Sequence, residues 1–454
     1  MKVVIVGNGP AAVSAVEAFR SVDPDSTLVV LSAEPHPAYA PNCLENVIRG
    51  DVTDEQLFYK GGTSFYERHR VEFRPSSPVK KVDALNKRVY LESGEEISYD
   101  KCLLAPGAYA FVPPIEGREL EGVTPAKTLD EALYVRNEVL SGRVKEAVVV
   151  GAGPIGVEDA EALTELGVKV TVVELEDRPL PRMLDRQLAR LYEKKLKEAG
   201  IRLLTAHQVV AFHGSKRVEA VEVKPRGSDG SFFIKAQLVL LAVGVRPRTH
   251  LVEGVELHVD EKTGRPLGGV VVDRYQRTSV PDLYAAGDVC SGPDAWGRLR
   301  WIALFPAAQQ GGAVAGYNMA GLKVRSNGLP DYNAVKTRFA VAGGAGSFSD
   351  AEEELLFELN GRLIKVFLKD GKVVGYQFLG PGGELKPNAR NPLVKALGFK
   401  KEGLGAEETG VLFHFFLKLN RRFKHVHRKA VEEGLLRALA YEKLEEPLYE
   451  FELG

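Results

Sequence analysis

Apolar and polar positions along the chain fall into two alternating kinds of run. Short apolar strings of strand length are followed by segments with helical spacing, which is the pattern of an α/β chain. Lys2–Val6 reads as a strand, Pro10–Arg20 as a helix and Thr27–Leu31 as a second strand. The plan recurs with strand Ala147–Val150, helix Pro154–Leu166 and strand Lys169–Val173.

Between the two units lie Phe65–Arg74 and the alternating segments Val79–Val82, Arg88–Leu91 and Glu96–Tyr99, which resemble a small antiparallel insertion. An apolar strand, Lys101–Ala105, follows and is broken by Pro106-Gly107; Pro113-Pro114 with Gly117 marks a crossing to a second domain. Leu129–Leu140 has helical spacing and Leu184–Glu198 is an amphipathic helix. Ile201–Leu204, Val218–Val223 and Gln237–Val243 read as strands that complete the second unit. At Gly244-Val-Arg-Pro247 the chain turns back, strand Leu283–Ala285 leads into Gly287-Asp288, and Pro306–Met319 is a long helix. Beyond Gly321 the runs Leu355–Leu359, Arg362–Leu368 and Val373–Phe378 are separated by Asn360-Gly361 and Asp370-Gly371, which are hairpin signals. Helical segments are expected near Pro392–Leu397, Glu407–Leu419 and Val431–Leu444.

The two α/β units carry the chemistry. Each strand-to-helix turn holds a dinucleotide-binding fingerprint, Gly7-Asn-Gly9-Pro10-Ala-Ala12 in the first and Gly151-Ala-Gly153-Pro-Ile-Gly156 in the second. Glycines let the backbone approach a pyrophosphate, and the free amides and dipole of the helix end favour its charge. Pro10 stands where a missing N–H is no loss. Glu34 and Glu174 follow the second strand of each unit at the distance expected for a partner of ribose hydroxyls. An acid there disfavours a 2′-phosphate, so Glu174 argues for NADH over NADPH. Two such sites on one polypeptide imply electron transfer between two dinucleotides.

Composition narrows the class. A chain of 454 residues is too long for one core and suggests three domains. Its 60 basic residues balance 61 acidic ones, which leaves no general attraction to nucleic acid or an acidic membrane. No apolar run approaches the length of a membrane span and no signal-peptide core precedes the first strand, so a cytoplasmic enzyme is expected. Cys43, Cys102 and Cys290 are odd in number and widely spaced, which speaks against a disulfide framework, and the nine histidines show no metal spacing.

The order of motifs resembles the two-dinucleotide flavoprotein disulfide reductase superfamily. It runs from the first fingerprint through Leu103-Leu-Ala-Pro-Gly107, the second fingerprint with Glu158, Val243-Gly-Val-Arg-Pro247 and Tyr284-Ala-Ala-Gly287-Asp288. Gln309-Gln-Gly311 and Gly316-Tyr-Asn318-Met-Ala-Gly321 are most similar to the branch holding NADH oxidase, coenzyme A disulfide reductase and the flavin subunits that reduce rubredoxin or serve nitrite reductase. The resemblance implies FAD at the first fingerprint and NAD(H) at the second, with Asp288 on the ribityl chain and Glu158 near the nicotinamide. It also implies cofactor contacts from Asn42, Ala105, Gly107, Ile155, Gly244, Gly287 and Ala303. As bland alternatives, Asp288 is a turn residue and Glu158 a solvated helix carboxylate. The fold implied is α/β, with two Rossmann-like dinucleotide-binding domains of three-layer ββα type and an α+β C-terminal dimerisation domain. Its divisions are 1–112 with 245–325 for FAD, 113–244 for NAD and 326–454 for a homodimer interface, from which Tyr441 or Tyr449 could reach the partner's site.

The electron acceptor is unidentified and depends on Tyr39-Ala-Pro41-Asn42-Cys43-Leu44. A thiolate at a helix start has a depressed pKa and can attack a disulfide or persulfide, which makes Cys43 a catalytic candidate. Matched without a gap to the relatives' Cys-x-Leu-Pro-Tyr-x-x-Gly, however, the cysteine position falls on Asn42, and Glu45-Asn46 replace Pro-Tyr. Arg20 alone survives of the basic cluster that coenzyme A reductases use, and Pro154 stands where oxidases carry an aromatic gate. Cys43 is therefore either a redox nucleophile or a small apolar packing residue, while Cys102 and Cys290 read as core. The enzyme expected is an FAD-dependent NADH oxidoreductase acting on a small thiol-type acceptor or oxygen. The alternatives are a reductase for a carrier such as rubredoxin and an NADH-sensing subunit that does not turn over.

Overall fold

In a computed structural model the described residues are 1–260, 262–349, 351–359, 361–382 and 449–451, with Leu412, Phe416, Val426, Arg428, Val431 and Leu435. Two five-stranded parallel sheets organise them. The first has the order Leu283–Ala285, Lys101–Leu104, Lys2–Val6, Thr27–Leu31, Val71–Arg74, and the second Arg202–Leu204, Lys169–Val173, Glu146–Val150, Leu238–Leu241, Val123–Thr124. Every pairing in both sheets is parallel. Each sheet is covered on one side by the helix of its glycine loop and on the other by a three-stranded antiparallel sheet, which is the ββα layering expected. The first cover is Val79–Asp83, Arg88–Leu91 and Glu96–Ser98; the second is His207–His213, Ala220–Pro225 and Phe232–Lys235.

Two elements depart from the sequence reading for physical reasons. Phe65–Arg74 does not join the insertion: it divides into the helix Thr63–Arg68 and the strand Val71–Arg74, which forms the edge of the first parallel sheet. The strand His207–His213 escapes a pattern search because a bulge between Val209 and Ala211 breaks its alternation, leaving Ala211 and Phe212 consecutively buried. The helix expected from Leu184 begins at Arg186, since Asp185 caps it by accepting from the Leu188 amide at 2.9 Å.

The two glycine loops are duplicates in hydrogen bonding as well as sequence. Gly7 N donates to Leu31 O and Gly151 N to Val173 O, both at 2.8 Å, while Ala105 N and Ala242 N donate back to Val6 O and Val150 O, also at 2.8 Å. An antiparallel ribbon, Ala108–Ala110 with Val245–Pro247, connects the two sheet systems. The long helix Phe305–Met319 returns to pack on Pro10–Arg20 through glycines: a Cβ at Gly312 would stand 2.1 Å from Ala11 O, and one at Gly316 2.4 Å from Ala15 O.

A third, wholly antiparallel sheet has the order Asn333–Lys336, Ala340–Gly346, Lys372–Pro381, Arg362–Lys369, Glu353–Leu359, and its hairpins occur where the sequence signals place them. Val335, Ala340 and Leu379 of this sheet share a core with the second parallel sheet, while Leu412, Phe416, Val431 and Leu435 bury against its other residues. Tyr449–Phe451 pairs with Val324–Ser326. Pro392–Leu397, Tyr441 and most of the two later helical segments lie outside the described residues.

The close approach of the two helices predicts a large effect of a small change. Gly312→Ala is expected to destabilise by about 1–3 kcal/mol, because the methyl meets backbone that cannot yield, and thermal unfolding of the purified protein measures it. An unchanged midpoint would contradict the packing described.

Candidate functional site

One cavity of about 2910 Å³ runs between the first two sheets and reaches the third, and both glycine loops open on it. The helices that start there differ from their neighbours. Thr128 closes Leu129–Leu140 with a capping box and Asp185 caps Arg186–Glu198, whereas the N-caps of Pro10–Arg20 and Pro154–Glu165 are Gly9 and Gly153, which have no capping side chain. Neither of the latter two helices has an acid in its first turn. Their positive ends therefore face the cavity unanswered by protein groups, as an anion site requires. A Cβ at Gly9 or Gly153 would meet nothing within 4 Å, so both point into open space that a side chain would fill. Gly7 and Gly151 serve the turn instead: at φ of 109° and 103°, an added Cβ would lie 2.0 Å from Ala105 O and 2.5 Å from Ala242 O. These two cradles fit the pyrophosphates of two dinucleotides.

Pro10, Glu34, Asn42, Ala105, Gly107, Ile155, Glu174, Gly244, Gly287, Asp288 and Ala303 all line the cavity, as do Cys43 and Glu158. Ala12 and Gly156 are corrected from cofactor contacts to packing positions. Both are buried behind the wall, and a Cβ at Gly156 would meet Gly151 O at 2.1 Å. Glu34 accepts a hydrogen bond from Tyr39 Oη at 2.8 Å. Glu174 accepts from Ala152 N at 2.6 Å and Glu176 N at 2.8 Å, so the acid is fixed against its own glycine loop with lone pairs to spare.

Asp288 is held behind the Gly287 turn, where burial raises its carboxyl pKa and Lys127 opposes the rise. Glu158 is not the solvated carboxylate of the bland reading. Burial and the charge of Glu45 push its pKa well up, while the Lys336 amide donates to its Oε1 at 2.9 Å. The wall charges Lys127, Lys336, Glu45 and Asp159 were not identified from sequence. Lys336 comes from the third sheet, 178 positions from Glu158, and leaves no local signal. Asp159 leaves one: with Glu161 it is an acid among the buried residues of Pro154–Glu165, whose other buried positions carry no charge.

Cys43 lies on the same wall. Pro41–Cys43 is a single 3-10 turn and Cys43 precedes the six-residue helix Leu44–Arg49. The thiol nevertheless has no depressed pKa. Burial, with Glu45 and Glu158 nearby, pushes it up to about 12, and only Lys336 acts the other way. It packs at the edge of the apolar cluster beneath the first sheet, while Asn42 is exposed on the cavity. Arg20 is likewise unavailable to a nucleotide, because its guanidinium donates to the carbonyls of His69, Asp23 and Arg70 at 2.6, 3.0 and 2.9 Å. Cys102 and Cys290 are core residues, as expected.

A family model described as pyridine nucleotide-disulphide oxidoreductase matches residues 1–312. The chain belongs to this family. An NADH oxidase of Methanocaldococcus jannaschii is 30% identical over 409 residues, covering 84% of this chain and 88% of that protein. A nitrite reductase (NAD(P)H) of Bacillus subtilis is 31% identical over 393 residues, 84% of this chain but 46% of that protein, so the chain spans about half of that relative. Among solved structures, an NAD-dependent persulfide reductase from A. fulgidus has 27% identity and a TM-score of 0.75 over 88% of this chain and 77% of that one. This pyridine nucleotide-disulphide oxidoreductase is accordingly an NADH-driven flavin oxidoreductase, with FAD and NAD(H) as its cofactors. Among the described residues no helix is long and apolar enough to cross a membrane.

The open cradles separate folding from cofactor binding. Gly9→Ala and Gly153→Ala are expected to fold with unchanged thermal midpoints as apoproteins. The first weakens FAD retention and the second raises the KM for NADH, each by about tenfold or more. Flavin content after gel filtration and steady-state kinetics read the two effects, and an exchange of the phenotypes would reverse the assignment of the loops.

Proposed function

We propose that this oxidoreductase passes electrons from NADH through FAD directly to a small acceptor such as oxygen, without a covalent thiol intermediate. The observation that carries the reading is the setting of Cys43. Its sulfur is partly buried against the apolar cluster beneath the first sheet, on the wall of the cavity, and desolvation with the charges of Glu45 and Glu158 disfavours the thiolate. FAD, when bound, accepts a hydride from the nicotinamide and yields the electrons to the acceptor. The protein supplies position and exclusion of water. In this reading the amides at Gly9 and Gly153 hold the pyrophosphates, Glu34 and Glu174 hold ribose hydroxyls, and Asp288 hydrogen-bonds the ribityl chain. Glu158 orients the nicotinamide. Residues 1–112 with 245–325 form the FAD domain, 113–244 the NAD domain and 326–454 the dimerisation domain of a cytoplasmic homodimer.

A second reading, with Cys43 as nucleophile toward a persulfide or disulfide, is favoured by the likeness to the persulfide reductase and by the position of Cys43 on the cavity wall. A thiolate there would need a positive charge that Lys336 alone does not supply against Glu45 and Glu158.

An anaerobic NADH titration of wild type and Cys43→Ser, followed by visible absorbance, decides between the readings. Direct reduction predicts identical flavin bleaching in both proteins, no long-wavelength thiolate band in either, and equal rates of reoxidation by oxygen. A band or turnover lost with the sulfur would establish the nucleophile instead. In the same titration NADPH should reduce the flavin more slowly than NADH because Glu174 repels a 2′-phosphate.

A further inference from the structure

Hydride transfer accounts for Glu158 but leaves a set of ionisable groups between the helices Leu44–Arg49 and Pro154–Glu165 unexplained. Asp159 is 3% exposed, lines the cavity, and its Oδ2 has no hydrogen-bond partner among the described residues. A buried, unpartnered carboxylate is costly, so the neutral acid is the favoured form. The groups facing it are Glu45 and Arg49 from Leu44–Arg49 and Glu158 on its own helix, and Lys336 from the third sheet faces Glu158 and Glu45 in turn. Beyond it the cluster continues outward. Arg49 contacts Glu161 at 3.2 Å, Glu165 at 2.5 Å and Asp51 at 3.4 Å, and Arg338 joins Glu165 at 3.0 Å and Asp51 at 3.3 Å. The Asp51 side chain is 40% exposed, so the cluster reaches from the cavity wall to solvent.

We propose that Asp159 and Glu45 hold an exchangeable proton at the cavity wall and deliver it to the small acceptor as that acceptor is reduced, with replacement from solvent past Glu161 and Glu165. This rests on the direct reduction proposed above. With oxygen as acceptor the balance is NADH + H⁺ + O₂ → NAD⁺ + H₂O₂. The hydride brings two electrons and one proton, and the carboxyl supplies the second proton. Its O–H bond breaks as an O–H bond forms on the acceptor, and solvent then reprotonates the carboxylate. Burial pushes both Glu45 and Glu161 up to about 7 and Asp159 well above the usual carboxylate range, which favours the proton-holding form of each. The sign follows: the proton-holding form is lost as pH rises through the folded-state pKa, and acceptor reduction should slow in that direction.

The test uses FAD-loaded enzyme reduced with NADH and mixed with oxygenated buffer across about pH 6–9, for wild type, Asp159→Asn and Glu45→Gln. Asparagine keeps the shape and removes the proton. Wild-type reoxidation is expected to slow as pH rises, and Asp159→Asn to be slower at the acid end by about tenfold or more with a flattened profile. The wild-type minus Asp159→Asn infrared difference spectrum at neutral pH should contain a protonated-carboxyl C=O component, against the background that Glu45, Glu158 and Glu161 contribute to both proteins, a readout independent of turnover. A variant with the wild-type profile, or a difference spectrum without that component, overturns the proposal while leaving direct reduction standing. A wild type that NADH reduces but oxygen does not reoxidise overturns both. If Asp159→Asn retains no flavin, Glu45→Gln carries the same two measurements and the same criteria.

Discussion

The structure depends on a close approach of backbone to backbone that is made twice. At Gly7 and Gly151 the chain leaves a parallel strand with a φ open only to glycine, and the space a Cβ would occupy belongs to the carbonyl of Ala105 or Ala242 on the neighbouring strand. This contact fixes where the following helix begins and which way its free amides point. The first consequence is one cavity with two positive helix ends on its wall. The second is that Phe305–Met319 can cover the first helix only by making its own contact through glycine, since that helix is already fixed by the loop.

Charge in the cavity follows a division of labour. The ends of the glycine-loop helices carry unanswered partial positive charge and suit phosphate. Further along the second of these helices, where Leu44–Arg49 meets Pro154–Glu165, the wall gathers carboxyls whose desolvation outweighs the few cations near them. Arg49 illustrates the limit of that compensation. It contacts three acids, yet burial still leaves Glu45 and Glu161 with pKa values near neutrality. Such a wall suits the handling of protons better than the holding of anions.

How far the sequence reveals this depends on whether an interaction is local. The fingerprints, the strands that carry them and the acids Glu34 and Glu174 are legible because helix, turn and strand are consecutive and each residue type has a stereochemical reason. The hairpins around Asp370-Gly371 are legible for the same cause. The edge strand Val71–Arg74 was hidden because four residues carry little period, and His207–His213 because a bulge shifts its phase. The wall formed by Glu45, Asp159 and Lys336 joins three distant segments, and no spacing rule connects them.

The position of Cys43 brings these strands of argument together. The matching of Leu44 and Gly50 assigns the relatives' cysteine position to Asn42, and the structure has Asn42 exposed on the cavity while the sulfur packs at the edge of the core. A dipole from a six-residue helix favours a thiolate by at most about 1–2 kcal/mol, whereas desolvation and two neighbouring carboxyls oppose it and push the thiol up to about 12. The opposing effects are the larger, so a helix start alone does not favour the thiolate here. On the proposal made above, Glu45, one of the two carboxyls that oppose the thiolate, also holds a proton where an acceptor would be reduced. On the two proposals, losing thiol chemistry and gaining proton supply are two results of one arrangement of charge, set when Glu45 rather than an apolar residue stands in the first turn of Leu44–Arg49, near Glu158 and Asp159.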